Sequence, residues 1–139
     1  MTTVLLDVNV VLDVLLDRKP HAEASCAVWA AVETKSANGW LAGHAVTTIY
    51  YLIQKELGAA RARRIVSTIL EVFRVAPVNG KVIQDALELP LADFEDSVTA
   101  SAARLAGCDW IVTRDPRGFR GSPVRYLSPE AAIPLLSTR

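Results

Sequence analysis

The sequence predicts an α/β fold with a mostly parallel central sheet. Two short apolar runs without polar alternation, at residues 4–6 and 110–112, are typical of strands covered on both faces. Helical patterns lie between the predicted strands, and that order favours a parallel sheet with helical crossovers. The 139 residues contain no Gly/Ser-rich or Pro-rich linker, so we expect a single domain spanning residues 1–139.

The first half of the chain alternates short strands with apolar helices. Asn9 is placed to cap a helix after the first strand, and Pro20 marks the start of a second helix. Asn38 and Gly39 form a turn signal before a brief strand, and Gly58 divides a pair of helices. The predicted elements are strands at residues 4–6 and 40–42 and helices at residues 10–16, 21–35, 47–57 and 59–73.

The second half continues the alternation with shorter elements. Pro77 makes the third strand an edge strand, because proline cannot donate to a central ladder. Asp93 opens a helix that Gly107 closes, and Ser128 followed by Pro129 starts a short final helix. The predicted elements are strands at residues 74–77, 109–113 and 124–127, helices at residues 78–89 and 94–106, and a polar loop at residues 114–123.

The charge balance, the apolar runs and the cysteines indicate which partners and which location to expect. Lys plus Arg and Asp plus Glu both number 15, so only local clusters of charge can attract nucleic acid. Asp7 and Asp13 interrupt the N-terminal apolar run well short of the roughly 20 residues that a membrane span needs. Cys26 and Cys108 have no metal or redox spacing, which predicts buried free thiols. We expect a soluble, cytoplasmic protein with no membrane partner.

Acidic residues stand where three predicted elements begin or end. Asp7 and Asp115 follow buried strands, and an unpaired charge is tolerated only where a strand leaves the core. In a parallel sheet that position is the crevice at the carboxyl ends of the strands, where ligands bind. Asp93 and Asp96 lie three residues apart at a helix start, so their side chains can share one side of that turn. We therefore expect these acids to converge.

Converging carboxylates require a proton or a cation. Each pair repels by about 1–4 kcal/mol at a surface-like dielectric, whereas a helix N-terminus offsets only about 0.3–1 kcal/mol. Oxygen-only ligands in a polar cleft favour Mg²⁺ or Mn²⁺. Such an ion lowers the pKa of bound water and neutralises a phosphoryl oxygen, which is what hydrolysis of a phosphodiester requires.

Several of these residues have a simpler structural interpretation. Asp93 can serve only as a helix cap, with Asp96 completing a capping box. Asn9 can cap its helix, contact a metal, or cap the helix while supporting Asp7. Asp115 before a proline can form an ordinary turn, and Asp13 is expected to lie on the surface.

Arginines cluster near the end of the chain although the total charge is balanced. Four of them flank the single acid Asp115 between residues 110 and 126, namely Arg114, Arg117, Arg120 and Arg125. Phosphate contacts from such residues position a nucleic-acid strand. We expect Arg114, Arg117 and Arg120 to contact RNA, and scattered solvated charge is the alternative.

Three short motifs in this order and spacing resemble the PIN-domain family. They are Leu-Leu-Asp-Val-Asn-Val at residues 5–10, Asp-Phe-Glu-Asp at residues 93–96, and Ile-Val-Thr-Arg-Asp at residues 111–115 with Phe119 following. The resemblance implies a three-layer α/β/α fold and an Mg²⁺- or Mn²⁺-dependent ribonuclease. It also implies a toxin of a VapBC-type toxin–antitoxin pair, homodimeric and inhibited by an antitoxin.

The resemblance also implies roles for individual residues. Asp7, Asp96 and Asp115 match the metal-binding acids, with Asn9 and Thr113 in supporting positions. The chain departs from the family in one respect, because residues 45–51 lack the acid, usually Glu, found in the helix after the second strand. Ile49 or Tyr50 occupies that position, and Asp93 is a conjectural substitute for the missing charge.

Three functions follow from these patterns. The first is a metal-dependent endoribonuclease that hydrolyses RNA with metal-activated water. The second is a catalytically weak or inactive PIN scaffold that binds RNA or a partner protein, which the missing helix acid favours. The third is a phosphotransfer enzyme with Asp7 as nucleophile, which fits poorly because that class needs a second Asp where this chain has Asn9.

Overall fold

The computed structural model describes residues 1–137, which form a five-stranded sheet and the helices that cover it. The strands are β1 (Thr3–Leu6), β2 (Asn38–Ala42), β3 (Arg74–Ala76), β4 (Trp110–Val112) and β5 (Arg125–Leu127). The helices are α1 (Val8–Leu15), α2 (Ala22–Glu33), α3 (Gly43–Leu57), α4 (Ala59–Val72), α5 (Gly80–Leu87), α6 (Phe94–Ala106) and α7 (Pro129–Ser137), with a 3₁₀ helix at Pro116–Phe119. The strand order is β3-β2-β1-β4-β5. Every neighbouring pair is parallel, which confirms the predicted α/β class.

Alternate residues of β1 face opposite layers of helices. Val4 and Leu6 belong to a core that includes side chains from α1, α2, α3, α4 and α7. Leu5 belongs to the other core, with side chains from α5, α6 and the 3₁₀ helix. Because successive side chains of a strand point to opposite faces, the helices lie on both sides of the sheet. The three-layer α/β/α prediction is confirmed.

Two helices begin earlier than the sequence predicted. α1 begins at Val8 because Asp7, and not Asn9, is its N-cap, and Asp7 Oδ1 accepts a hydrogen bond from the Val8 amide at 2.9 Å. α3 begins at Gly43 rather than at residue 47, directly after β2 ends at Ala42. No side chain caps α3, so the sequence carries no start signal there.

The boundaries of α6 agree with the prediction. Asp93 Oδ1 accepts a hydrogen bond from the Asp96 amide at 3.0 Å, which confirms Asp93 as the N-cap. Gly107 ends the helix with φ of 79°, a left-handed conformation that glycine adopts without a steric penalty.

The two thiols differ in exposure. Cys108 is buried as predicted, and burial raises the pKa of its thiol to about 12. The same prediction was wrong for Cys26, which is exposed on α2 because it lies off the side of the helix that packs on the core. Within residues 1–137, no helix is long and apolar enough to cross a membrane.

Candidate metal centre

Thr113 connects two acids from distant parts of the chain. Asp7 follows β1 and Thr113 follows β4, which is the parallel neighbour of β1, and the Asp7 amide donates to the Val112 carbonyl at 2.9 Å. The buried Thr113 hydroxyl donates to Asp7 Oδ2 at 2.8 Å and accepts from the Asp115 amide at 3.0 Å. One hydroxyl therefore orients the first acid and the loop that carries the second.

Asp96 reaches the same place from the first turn of α6. A Cβ atom added to Gly118 would lie 2.9 Å from Asp96 Oδ2 and 2.9 Å from Asp115 Oδ2. Both carboxylates therefore face one small space beside the Gly118 backbone, which only a residue without a side chain leaves open. The structure thus brings together Asp7, Asp96 and Asp115, three of the four acids that the sequence predicted to converge. The fourth, Asp93, caps the same helix turn.

The negative charges of the clustered acids make the ionisation of Asp96 and of Asp7 less favourable. Burial raises the pKa of Asp96, and the charges of Asp7, Asp93, Asp115 and Glu95, in that order, add to the effect and bring it to about 7. Burial also raises the pKa of Asp7, although hydrogen bonds from Thr113 and the Val8 amide oppose the change. A cation at this edge would relieve both effects.

Asn9, Asp13 and Arg114 form a support for the loop after β4. Asn9 Oδ1 accepts a hydrogen bond from the Arg114 amide at 3.3 Å, so Asn9 supports the loop instead of capping a helix. Arg114 Nε donates to Asp13 Oδ2 at 2.6 Å, and Asp13 also accepts from Ser25 Oγ at 3.4 Å. Asp13 has 0% exposure, so its predicted surface position was wrong. Sequence offered no signal for a pair separated by 101 positions.

The remaining predicted site residues are three arginines and Asp93, and they differ in exposure and in partners. Arg114, which the sequence predicts to contact RNA, is paired with Asp13, and 27% of its side chain is exposed. Arg117 lies within the 3₁₀ helix and Arg120 directly follows it. Both are exposed, and neither makes an ion pair with another residue of the described range 1–137. Asp93 is exposed, and its side chain serves as the cap of α6.

His44 is a residue at this edge that the sequence analysis missed. It lies in the first turn of α3, and its charge lowers the pKa of Asp7. His44 Nε2 lies 3.3 Å from Thr99 Oγ1, whereas Nδ1 is buried and has no hydrogen-bond partner among the described residues. A correct start for α3 would have indicated His44, since it follows β2 much as Asp7 follows β1.

The carboxylates fit a hard divalent cation. Among residues 1–137, no three His, Cys, Asp or Glu side chains are already arranged to hold a metal ion together. Mg²⁺, however, is commonly held by one or two carboxylates and several water molecules. Asp96 and Asp115 share the space beside Gly118, and Asp7 is coupled to both by charge. These three residues could therefore hold such an ion.

Comparison with known protein families identifies the family of the chain. The family model described as PIN domain matches residues 3–117, which is most of the chain. The chain belongs to the PIN-domain family. A comparison with curated protein sequences gives no match.

Solved structures share the PIN fold at low sequence identity. FitAcB from Neisseria gonorrhoeae has a TM-score of 0.73 at 20% identity, covering 91% of this chain and 98% of that one. A toxin–antitoxin complex from Klebsiella pneumoniae has a TM-score of 0.67 at 18% identity, with 91% and 97% covered. VapC20 from Mycobacterium tuberculosis, a toxin that cleaves the sarcin–ricin loop, has a TM-score of 0.63 at 16% identity, with 78% and 86% covered.

Proposed function

We propose that this PIN-domain protein is a metal-dependent endoribonuclease and the toxin of a toxin–antitoxin pair. The main support is the meeting of Asp7, Asp96 and Asp115 at the carboxyl ends of β1 and β4. PIN-domain nucleases generally use divalent metal ions, and Mg²⁺ or Mn²⁺ suits this set of oxygen ligands.

The residues of the chain have distinct tasks in this proposal. A divalent ion, when bound, would acidify a water molecule and neutralise charge on a phosphoryl oxygen. Asp7, Asp96 and Asp115 would hold the ion, and Asp96 would release its proton on binding because its pKa lies at about 7. Thr113 and Asn9 keep the acids and their loop in place, and Arg117 and Arg120 would contact phosphates of the RNA.

Partners are proposed from the relatives with the same fold. The similar structures include a toxin–antitoxin complex and a toxin that cleaves the sarcin–ricin loop. We therefore propose a cognate antitoxin as protein partner, RNA as substrate, a homodimer as assembly and the cytoplasm as location. Asp93 remains a candidate for the charge that α3 lacks.

RNA cleavage tests the proposal. Purified protein should cleave structured or single-stranded RNA with Mg²⁺ or Mn²⁺, and EDTA should abolish the cleavage. Asp7→Asn should lose activity, whereas Glu95→Gln, a change to an exposed acid of the same helix turn as Asp96, should retain it. Cleavage that is indifferent to both EDTA and Asp7→Asn would refute the proposal.

An inactive scaffold is the second candidate function. It is favoured by α3, where Ile49 is buried in the core, Tyr50 packs against that core, and residues 45–51 include no acid. In that case the protein would bind RNA or a partner without cleaving. A thermal melt separates the two functions, because a bound ion stabilises the folded state by RT ln(1 + [L]/Kd). RNA binding with no shift at millimolar Mn²⁺ would favour the scaffold.

A further inference from the structure

His44 lies at the same edge of the sheet as the three acids. β2 pairs with β1 in parallel, with Leu5 opposite Trp40, and α3 starts as soon as β2 ends. His44 is the only ionisable residue in the first seven positions of α3, residues 43–49. In its protonated form the imidazole lowers the pKa of Asp7, so the ring is an electrostatic neighbour of the acid cluster.

The hydrogen bonds of Thr99 determine which nitrogen of His44 carries the proton. Thr99 Oγ1 donates its single hydrogen to the Glu95 carbonyl at 3.0 Å. We assign the hydroxyl hydrogen to this shorter contact, so that Oγ1 acts as acceptor toward His44 Nε2, which lies 3.3 Å away, and Nε2 carries a hydrogen. In a neutral imidazole the other nitrogen, Nδ1, then has a free lone pair.

That lone pair is buried and has no hydrogen-bond partner among residues 1–137. His44 Nδ1 makes no hydrogen bond within the described residues, although almost all buried polar atoms in proteins are paired. A metal-binding imidazole characteristically has its second nitrogen hydrogen-bonded to another group, which fixes the orientation of the ring. The contact with Thr99 provides such an anchor and leaves Nδ1 available for a ligand.

We propose that His44 supplies a nitrogen ligand to the ion held by Asp7, Asp96 and Asp115, in place of the acid that α3 lacks. This inference rests on the proposed metal dependence of the protein. Nitrogen ligands favour transition-metal ions over Mg²⁺, which prefers oxygen. The site should therefore select Mn²⁺ over Mg²⁺ more strongly than an all-carboxylate site would.

Electron spin-echo spectroscopy of the Mn²⁺-loaded, full-length protein tests this ligand. The wild type should show modulation from a directly bound ¹⁴N nucleus, and labelling only histidine with ¹⁵N should replace it with a ¹⁵N signal. His44→Gln keeps an amide that can donate to Thr99 but removes Nδ1, so the nitrogen signal should vanish. Mn²⁺ affinity should fall at least about tenfold, since even indirect supports of a ligand commonly cost that much.

Two variants serve as controls. His21→Gln changes the other histidine, which precedes α2, and should leave the spectrum unchanged. Thr99→Val removes the anchor of the ring and should weaken Mn²⁺ binding while a nitrogen signal remains. Mn²⁺ binding without nitrogen coupling, or an unchanged spectrum in His44→Gln, would overturn the role of His44 alone. Failure of the wild type to bind Mn²⁺ would overturn the proposed metal dependence as well.

Discussion

Asp96 carries an unfavourable charge in the folded protein. Its pKa is raised from 3.8 to about 7 by burial and by the charges of Asp7, Asp93, Asp115 and Glu95. At pH values between 3.8 and about 7, Asp96 keeps its proton in the folded state, whereas the unfolded chain releases it. The free energy of unfolding of the metal-free protein should therefore fall as pH rises from about 4 to 7.

Replacing Asp96 with Asn should stabilise the metal-free protein at high pH. We expect Asp96→Asn to raise the free energy of unfolding by about 1–2 kcal/mol at pH 8, a value discounted for partial exposure, and to have little effect at pH 4. Urea denaturation in EDTA at both pH values measures the difference. Glu95→Gln removes an exposed acid from the same turn, the smallest of the charges that act on Asp96, and should show a much smaller gain. A loss of stability at pH 8 in Asp96→Asn would contradict the repulsion.

Gly118 keeps open the space that Asp96 and Asp115 share. In Gly118→Ala the new Cβ would meet both carboxylate oxygens at 2.9 Å, and these are mobile ends of side chains. We expect the carboxylates to be displaced, so that Mn²⁺ affinity and RNA cleavage fall at least about tenfold while the melting temperature changes little. Calorimetric titration and a thermal melt measure the two effects.

A second glycine provides the matched control for that substitution. Gly80 begins α5, and an added Cβ there meets no atom within 4 Å. Gly80→Ala should therefore leave metal affinity unchanged and keep or slightly raise stability. Equal loss of metal binding in both variants would show that the space beside Gly118 is not used.

At the scale of elements, the loop after β4 is attached to α1 by the ion pair between the partly exposed Arg114 and the buried Asp13. Arg114→Ala would leave the fully buried Asp13 without its cation, and we expect a loss of about 3 kcal/mol in the free energy of unfolding. Replacing both partners with apolar residues, Asp13→Leu with Arg114→Met, should recover most of that loss. Urea denaturation of the single and double variants measures the coupling.

Arg117, an exposed arginine on the same loop, serves as the control. Its substitution tests whether any change in this loop lowers the free energy of unfolding. Arg117→Ala should change the free energy of unfolding by no more than about 0.5 kcal/mol. If Arg114→Ala were equally mild, the ion pair would not hold the loop.

The sequence predicted elements better than it predicted contacts between them. Asp93 and Gly107 are strong local signals, and they bound α6 where the structure does. Asp7, Asp96 and Asp115 could be grouped because parallel strands place their carboxyl ends at one edge. Asp13 could not be placed, because its partner lies 101 positions away and only packing shows that a charge inside α1 is paired.

The late start predicted for α3 explains why the sequence analysis did not identify His44. In the described residues α3 follows β2 without a side-chain cap, and the start expected at residue 47 left His44 outside the predicted elements. Only the folded structure shows that His44 Nδ1 is buried without a hydrogen-bond partner in the described part of the chain.

At the scale of the whole molecule, attraction to RNA must come from local charge. The chain has 15 basic and 15 acidic residues, so long-range steering is weak. The pairing of Arg114 with Asp13 leaves Arg117 and Arg120 as the exposed cations on the chain segment around Gly118. If they contact phosphates, their loss should weaken binding similarly for all RNA sequences.

Salt dependence measures these phosphate contacts. In an Asp7→Asn background, which should bind RNA without cleaving it, Arg117→Ala with Arg120→Ala should weaken single-stranded RNA binding. The slope of log affinity against log salt should become shallower by about 1.4, since each phosphate contact contributes about 0.7. Arg61→Ala with Arg63→Ala removes the same charge from exposed positions of α4, a helix that packs on the other face of the sheet. An equal change of slope in both pairs would indicate a nonspecific charge effect and count against an RNA path beside Gly118.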